Sequence, residues 1–169
     1  QLFVDGKRMT RASTPNKFYD YMYRIQEETL SGAAAKNREA RQTIKVDAKV
    51  SDTLAKLSPK ERADVQMITF QNWDNTRRFI HDFDPQKRVI ITEGEKVKSW
   101  NPWRKATRFY LENFRSALDQ PGEWFLARNH KVALIDRDRA TLDRTITEIA
   151  RPDDLLGIHC DVSDAAQVD

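Results

Sequence analysis

Hydrophobic and polar positions alternate along much of the first 128 residues and take a helical period only in short stretches. In "QLFVDGKRMTR" (1–11), a β-rich run and a polar run flank Asp5-Gly6, a dipeptide suited to the positive φ of a two-residue hairpin turn. Thr14-Pro15-Asn16 breaks that pattern. A helix is expected near 21–30, a loop around Gly32, and a short helix over "AKVSDTLAKL" (48–57). Ser58-Pro59-Lys60-Glu61 has the form of a helix start, with Ser as N-cap, Pro in the first position and Glu in the third. Alternation predicts strands at 64–71, 77–83 and 87–92, the last two joined at Asp84-Pro85. A helix is expected from Leu111 to Leu118, a turn at Pro121-Gly122 and a strand over 123–128. The remainder reads as strand 131–136, helix 138–150 with Leu142, Ile146 and Ile149 on one face, and strand 155–160.

This pattern predicts an α+β chain: a β-rich segment over 1–128 and a short β-α-β tail over 129–169. Two pairings compete in the tail. Its strands can pair in parallel across the helix, or 123–128 can pair with 131–136 through Asn129-His130; the short loop favours the hairpin.

Composition sharpens the division. Residues 1–128 carry 24 Lys+Arg against 17 Asp+Glu, and residues 129–169 carry 5 against 9. All four Trp, four Tyr and eight Phe lie between Phe3 and Phe125. A break of this kind points to two segments of different origin, a chimeric chain. No apolar run reaches the roughly 18 residues of a membrane span, so no membrane partner is expected. Cys160 is the only cysteine, which excludes an internal disulfide. Gln1 opens the chain with no leader visible, as expected after removal of one or within a longer parent.

The candidate chemistry is sparse. His81, His130 and His159 are scattered and form no metal-ligand set, and His81 reads as a strand-surface residue. Paired carboxylates perform glycoside hydrolysis, and Asp74, Asp82, Asp84, Glu93 and Glu95 are the candidates; their positions also suit solvated turns. In "KSWNPWRKATRFYLENF" (98–114), Trp100 and Trp103 flank Asn101-Pro102, with Arg104, Lys105 and Arg108 close behind. Such indoles can stack on a sugar or a base, or can anchor the loop to a core. A net charge of +3 over 169 residues gives nucleic-acid binding little support.

The runs "QLFVDGKRMTRASTPN", "ARQTIKV", "WDNTRRFI", "VIITEGEKVKSWNPW" and "TRFYLENFRSALDQPGEWFL" resemble a family of secreted bacterial right-handed parallel β-helix proteins related to glycoside hydrolases. The resemblance covers residues 1–128 and implies a β-helix start with an accessory sandwich-like segment and a polysaccharide or oligosaccharide partner. It places the family's catalytic carboxylates beyond position 128, so no catalytic residue is carried over; Trp100 and Trp103 remain as candidate substrate contacts.

From about Leu126 the chain is similar to short-chain dehydrogenases, Rossmann-like oxidoreductases. "LARNHKVALIDRD" resembles the end of their first helix and second strand, and "LLGIHCDVSD" their third strand. The resemblance implies that Asp136 binds the adenosine ribose of NAD, that Arg137 sits near a 2′-phosphate position, and that Asp161 and Val162 line the adenine. The glycine loop that cradles the pyrophosphate is absent: glycines 6, 32, 94, 122 and 157 stand singly. The Tyr-x-x-x-Lys pair is also missing.

The expectation is therefore an incomplete fragment of a carbohydrate-active, glycoside hydrolase-like protein without catalytic activity of its own and without a cofactor. The alternative is a fragment of an NAD(P)-dependent dehydrogenase. The first implies a secreted or periplasmic setting and the second a cytoplasmic one.

Overall fold

The computed structural model describes residues 2–4, 7–30, 38–126, 132–136, 138–148 and 155–159. In chain order the elements are β1 (Phe3–Val4), β2 (Lys7–Arg8), β3 (Thr10–Arg11), β4 (Ser13–Thr14), β5 (Asp20–Tyr21), β6 (Arg24–Thr29), β7 (Glu39–Lys45), α1 (Ala48–Ala55), α2 (Pro59–Arg62), β8 (Gln66–Phe70), β9 (Asn75–Asp84), β10 (Val89–Glu95) and β11 (Arg108–Glu112). A 3-10 turn at Arg115–Ala117 follows, then β12 (Glu123–Leu126), β13 (Val132–Asp136), α3 (Arg139–Glu148) and β14 (Leu155–His159). The chain is β-rich and of the α+β class. None of its described helices is long and apolar enough to cross a membrane. It divides into two units, residues 15–111 and residues 1–14 with 112–169.

In the 15–111 unit, the strands lie in the order β11-β8-β9-β10-β7-β6, with β5 antiparallel to β11. Each neighbouring pair from β8 to β6 is antiparallel. Alternation sets the buried face: Ala40, Gln42 and Ile44 of β7 and Ile90 and Thr92 of β10 are buried. Thr92 donates to Gln42 Oε1 at 3.0 Å, and Gln42 Nε2 donates to Glu27 Oε2 at 3.0 Å, so the buried polar pair is satisfied. α1 starts where Asp47 accepts the Val50 N–H at 2.8 Å, and it buries Val50 and Leu54. α2 carries the expected capping box between Ser58 and Glu61.

The helix expected near 21–30 is a strand instead, and the one expected from Leu111 to Leu118 is the end of a strand followed by a 3-10 turn. Residues 24–29 pair along their whole length with 40–45, so at alternate positions the ladder gives the backbone hydrogen bonds that a helix would otherwise provide; the helix-forming Gln26, Glu27 and Glu28 contribute only tenths of a kcal/mol each to the alternative, on the order given by intrinsic propensities. Residues 108–112 are strand because Phe109 and Leu111 are buried at alternate positions. Asn113, at φ 73°, then ends any regular run, and only the 3-10 turn remains of the expected helix. Strand β7 had no counterpart in the sequence reading, because Gln42 occupies a buried position and masks the alternation.

In the other unit, β1 and β2 form the expected hairpin, with Val4 opposite Lys7. A second sheet has the order β14-β13-β12-β3. β12 pairs antiparallel with β13, and β13 pairs parallel with β14 across α3, so both of the tail's competing pairings form together. Asn113 stitches this unit locally: its Oδ1 accepts the Leu126 N–H at 2.8 Å and its Nδ2 donates to the Leu126 carbonyl at 3.2 Å. Glu112 lies buried with Arg11 at 3.4 Å, and the Arg11 guanidinium sits 4.5 Å over the Trp124 ring.

Candidate functional site

The polar turn between β8 and β9 (71–74) and the long loop between β10 and β11 (96–107) are tied together by one buried side chain. Asn101, 3% exposed, accepts the Asn72 N–H on Oδ1 at 3.2 Å and donates from Nδ2 to Asp74 Oδ1 at 2.8 Å. Asp74 Oδ2 takes Lys98 Nζ at 2.8 Å, so both carboxyl oxygens are engaged. With the Gln71 amide oriented by its network, its nitrogen donates to Asp74 and its oxygen accepts the Trp103 indole N–H at 2.5 Å.

These ties decide what each tryptophan does. Trp103 is 7% exposed and anchors the loop through Gln71, so it presents no ring to a ligand. Trp100 is 63% exposed, with Lys98 Nζ 5.2 Å from its ring centroid. Trp73, at the tip of the partner turn, is 78% exposed. The sequence reading missed Trp73. Its signal was a lone indole in the five-residue link between two expected strands, where no core position needs one.

Two hollows flank this pair of loops. The first, 240 Å³, is lined by Asp74, Thr76, Arg78, Glu95, Lys98 and Asn101 among others. Its charges are mixed. Arg78 donates to the Glu95 carbonyl at 2.8 Å, its Nε is buried without a partner, and burial lowers its pKa. The second, 190 Å³, has Phe70, Asn72, Pro102, Arg104, Lys105 and Arg108 in its wall, and no Asp or Glu lines it. Phe70 of its wall belongs to an aromatic cluster, 5.0 Å from Tyr19 and 5.7 Å from Tyr110, and Arg108 sits 5.2 Å over Tyr19.

The remaining candidate carboxylates are spread across the sheet. Glu93 takes Arg41 at 2.6 Å and stands 3.5 Å from His81, whose side chain is 52% exposed on β9. That hydrogen bond to Glu93 raises the Arg41 pKa. Asp82 accepts the Phe83 N–H at 2.7 Å. Asp84 accepts the Lys87 N–H at 2.9 Å, which lowers its pKa. Of the five, Asp74 and Glu95 are the two that line one hollow, and Asp74 is committed to the clamp. Among the described residues no group of three or more His, Cys, Asp or Glu side chains could hold a metal ion.

Asp136 ends β13, with its Cα opposite His159 of β14 in the parallel register. Arg137, Asp161 and Val162 lie outside the described residues. No protein-family model matches this sequence, and no curated protein matches it.

Proposed function

We propose that the chain is a glycan-contacting, non-catalytic part of a carbohydrate-active protein related to the parallel β-helix glycoside hydrolases, contributing an accessory β-rich segment beside the start of the helix. The observation that carries this reading is the pair Trp73 and Trp100: two exposed indoles on loops held to each other by Asn101 and Asp74. Exposed indoles cost solubility and stack well on the apolar faces of sugar rings, and fixing their loops beforehand lowers the ordering cost of binding. The resemblance over residues 1–128 supports the same partner.

Titration with a panel of oligosaccharides, followed by tryptophan fluorescence and calorimetry, tests it. Trp73→Ala and Trp100→Ala are each expected to weaken binding by about tenfold, the size of one lost stacking contact of about 1.4 kcal/mol. Trp103→Phe is expected to lower stability and leave affinity nearly unchanged. Affinity that ignores Trp73 and Trp100 removes the reading.

A second reading, an NAD-dependent dehydrogenase part, is favoured by the parallel β13-α3-β14 unit with Asp136 at the carboxyl end of its strand. Saturable NAD binding lost in Asp136→Ala supports it; absence of saturable NAD binding removes it.

A further inference from the structure

The two hollows beside the clamped loops differ in charge, and that difference points to the kind of glycan. The first mixes Asp74 and Glu95 with Arg78 and Lys98. The second holds Arg104, Lys105 and Arg108 and no acid. All three cations are exposed, and among the described residues none of them is paired with a carboxylate. The Arg104 backbone N–H donates to Thr107 Oγ1 at 2.7 Å, closing the turn that carries Lys105, and the Arg108 guanidinium sits 5.2 Å from the Tyr19 ring centroid, a contact that does not neutralise it. Arg41, Lys87, Lys98 and Arg139 each find an acid within 4 Å, whereas other exposed cations such as Lys56 and Lys60 find none among the described residues, so what distinguishes this hollow is that three such cations share it. Three unneutralised cations around one 190 Å³ hollow form a site built for an anion of monosaccharide size.

We propose that this hollow is the subsite for the anionic group of an acidic glycan, a carboxylated or sulfated sugar unit whose neighbouring units stack on Trp100 and Trp73. The inference rests on the glycan-contacting reading above and adds the substrate class to it. The alternation of an acid-free hollow with an acid-containing one favours a polymer with spaced charges. A nucleic acid carries a phosphate at every step, and the hollow that mixes Asp74 and Glu95 with Arg78 and Lys98 offers such a chain no second acid-free phosphate site. A glycan with an anionic unit beside hydroxyl-rich units meets cations in one hollow and hydrogen-bonding groups in the other.

The test uses an array of gluco-, manno- and galacto-configured oligosaccharides in matched sets, each neutral, C6-carboxylated or C6-sulfated, with a single-stranded oligonucleotide alongside. The expected result is that carboxylated or sulfated members bind at least about tenfold tighter than their neutral parents, and which of the two anions leads identifies the source of the charge. That advantage is expected to shrink as salt rises from about 0.01 to 0.15 M, because exposed cations are screened. Replacing Arg104, Lys105 and Arg108 together by Gln is expected to abolish the advantage and leave neutral binding in place. Lys105→Glu alone, on an exposed side chain, is expected to cut the preference sharply, and it guards against misfolding of the triple variant. Equal binding of neutral and anionic members by the parent chain overturns this inference and leaves the glycan reading intact. Binding of no oligosaccharide overturns both. An oligonucleotide bound more tightly than every oligosaccharide replaces the acidic glycan by a nucleic acid.

Discussion

Asn101 and Asn113 use the same device in two different settings. Each is nearly fully buried, at 3% and 4% exposure, and each spends its side-chain amide on fastening a separate chain segment. Asn113 satisfies both backbone groups of Leu126, as a neighbouring strand would. Around it lie Phe114, Ala117, Leu118 and the buried carboxylates Glu112 and Glu123, with Glu112 answered by Arg11 and Glu123 by the Asp119 and Gln120 N–H groups. Asn101 fastens the Asn72–Asp74 turn, and around it lie two exposed indoles and three cations without acids. The comparison teaches that a buried polar hub marks a fixed backbone, and that the chemistry left exposed around it separates a binding surface from a structural joint.

The largest expected effect breaks the two hubs in turn. Asn113→Ala leaves the half-buried Leu126 N–H and carbonyl without their partner and places alanine at φ 73°; a loss of about 2–4 kcal/mol is expected by chemical denaturation. Asn101→Ala exposes its partners to solvent near the surface and is expected to cost only about 1–2 kcal/mol, while glycan affinity falls because Trp73 and Trp100 lose their common frame. Equal stability losses with no change in affinity for Asn101→Ala would dissolve the comparison.

A second effect belongs to the Asn113 region alone. Burial pushes the Glu123 carboxyl from its ordinary 4.5 up to about 7, against the two backbone N–H donors from Asp119 and Gln120 that favour the charged form. The folded pKa is raised above the unfolded one. The unfolded chain therefore sheds its proton first, and the stabilisation present below about pH 4.5 is lost as pH rises through about 7. A decline on the order of 1–3 kcal/mol across that window is expected, and Glu123→Gln flattens it, since the amide oxygen keeps both N–H bonds. Denaturation midpoints collected from pH 4 to 8 check this, and a parent chain with no decline removes the assignment.

Several elements of both regions were legible in the sequence. The Asp5-Gly6 hairpin, the Ser58 capping box, strands β8 to β10 and the tail's strand-helix-strand order followed from turn chemistry and period, signals that act over a few residues. The misread segments had their conformations set from a distance. Residues 24–29 are strand because 40–45 lie beside them, and Leu111 and Glu112 because they end a strand in which Phe109 and Leu111 alternate into the core. At the candidate site, the Trp100–Arg108 stretch stood out in the sequence by composition. Its division into an anchor, Trp103, and an exposed ring, Trp100, depends on Gln71, some thirty positions away, and Trp73 joined only once Asn101 tied its turn to the loop. Local pattern found the residues, and long-range hydrogen bonds assigned their work.

The smallest expected effect sharpens the same comparison at the backbone. Ala106 sits at φ 68° in the turn where the Thr107 N–H donates to the Arg104 carbonyl at 3.0 Å, nearly the conformation of Asn113. Asparagine tolerates the left-handed region because its short amide can hydrogen-bond locally; alanine has no such compensation and holds about 1–2 kcal/mol of strain there. Ala106→Gly removes that strain but loosens the unfolded chain, which offsets roughly 0.5–1 kcal/mol. The net expectation is a gain of about 0.5 kcal/mol in thermal denaturation. Ala106→Asn, which relieves part of the strain without that entropy, is expected to gain at least as much. The two variants part on binding. Glycine frees the turn that presents Arg104 and Lys105, so the preference for anionic glycans should weaken, whereas asparagine keeps the turn and the preference. If both variants bind alike, the strained turn contributes nothing to holding the cations, and the three side chains reach an anion from a backbone that was never fixed for the purpose.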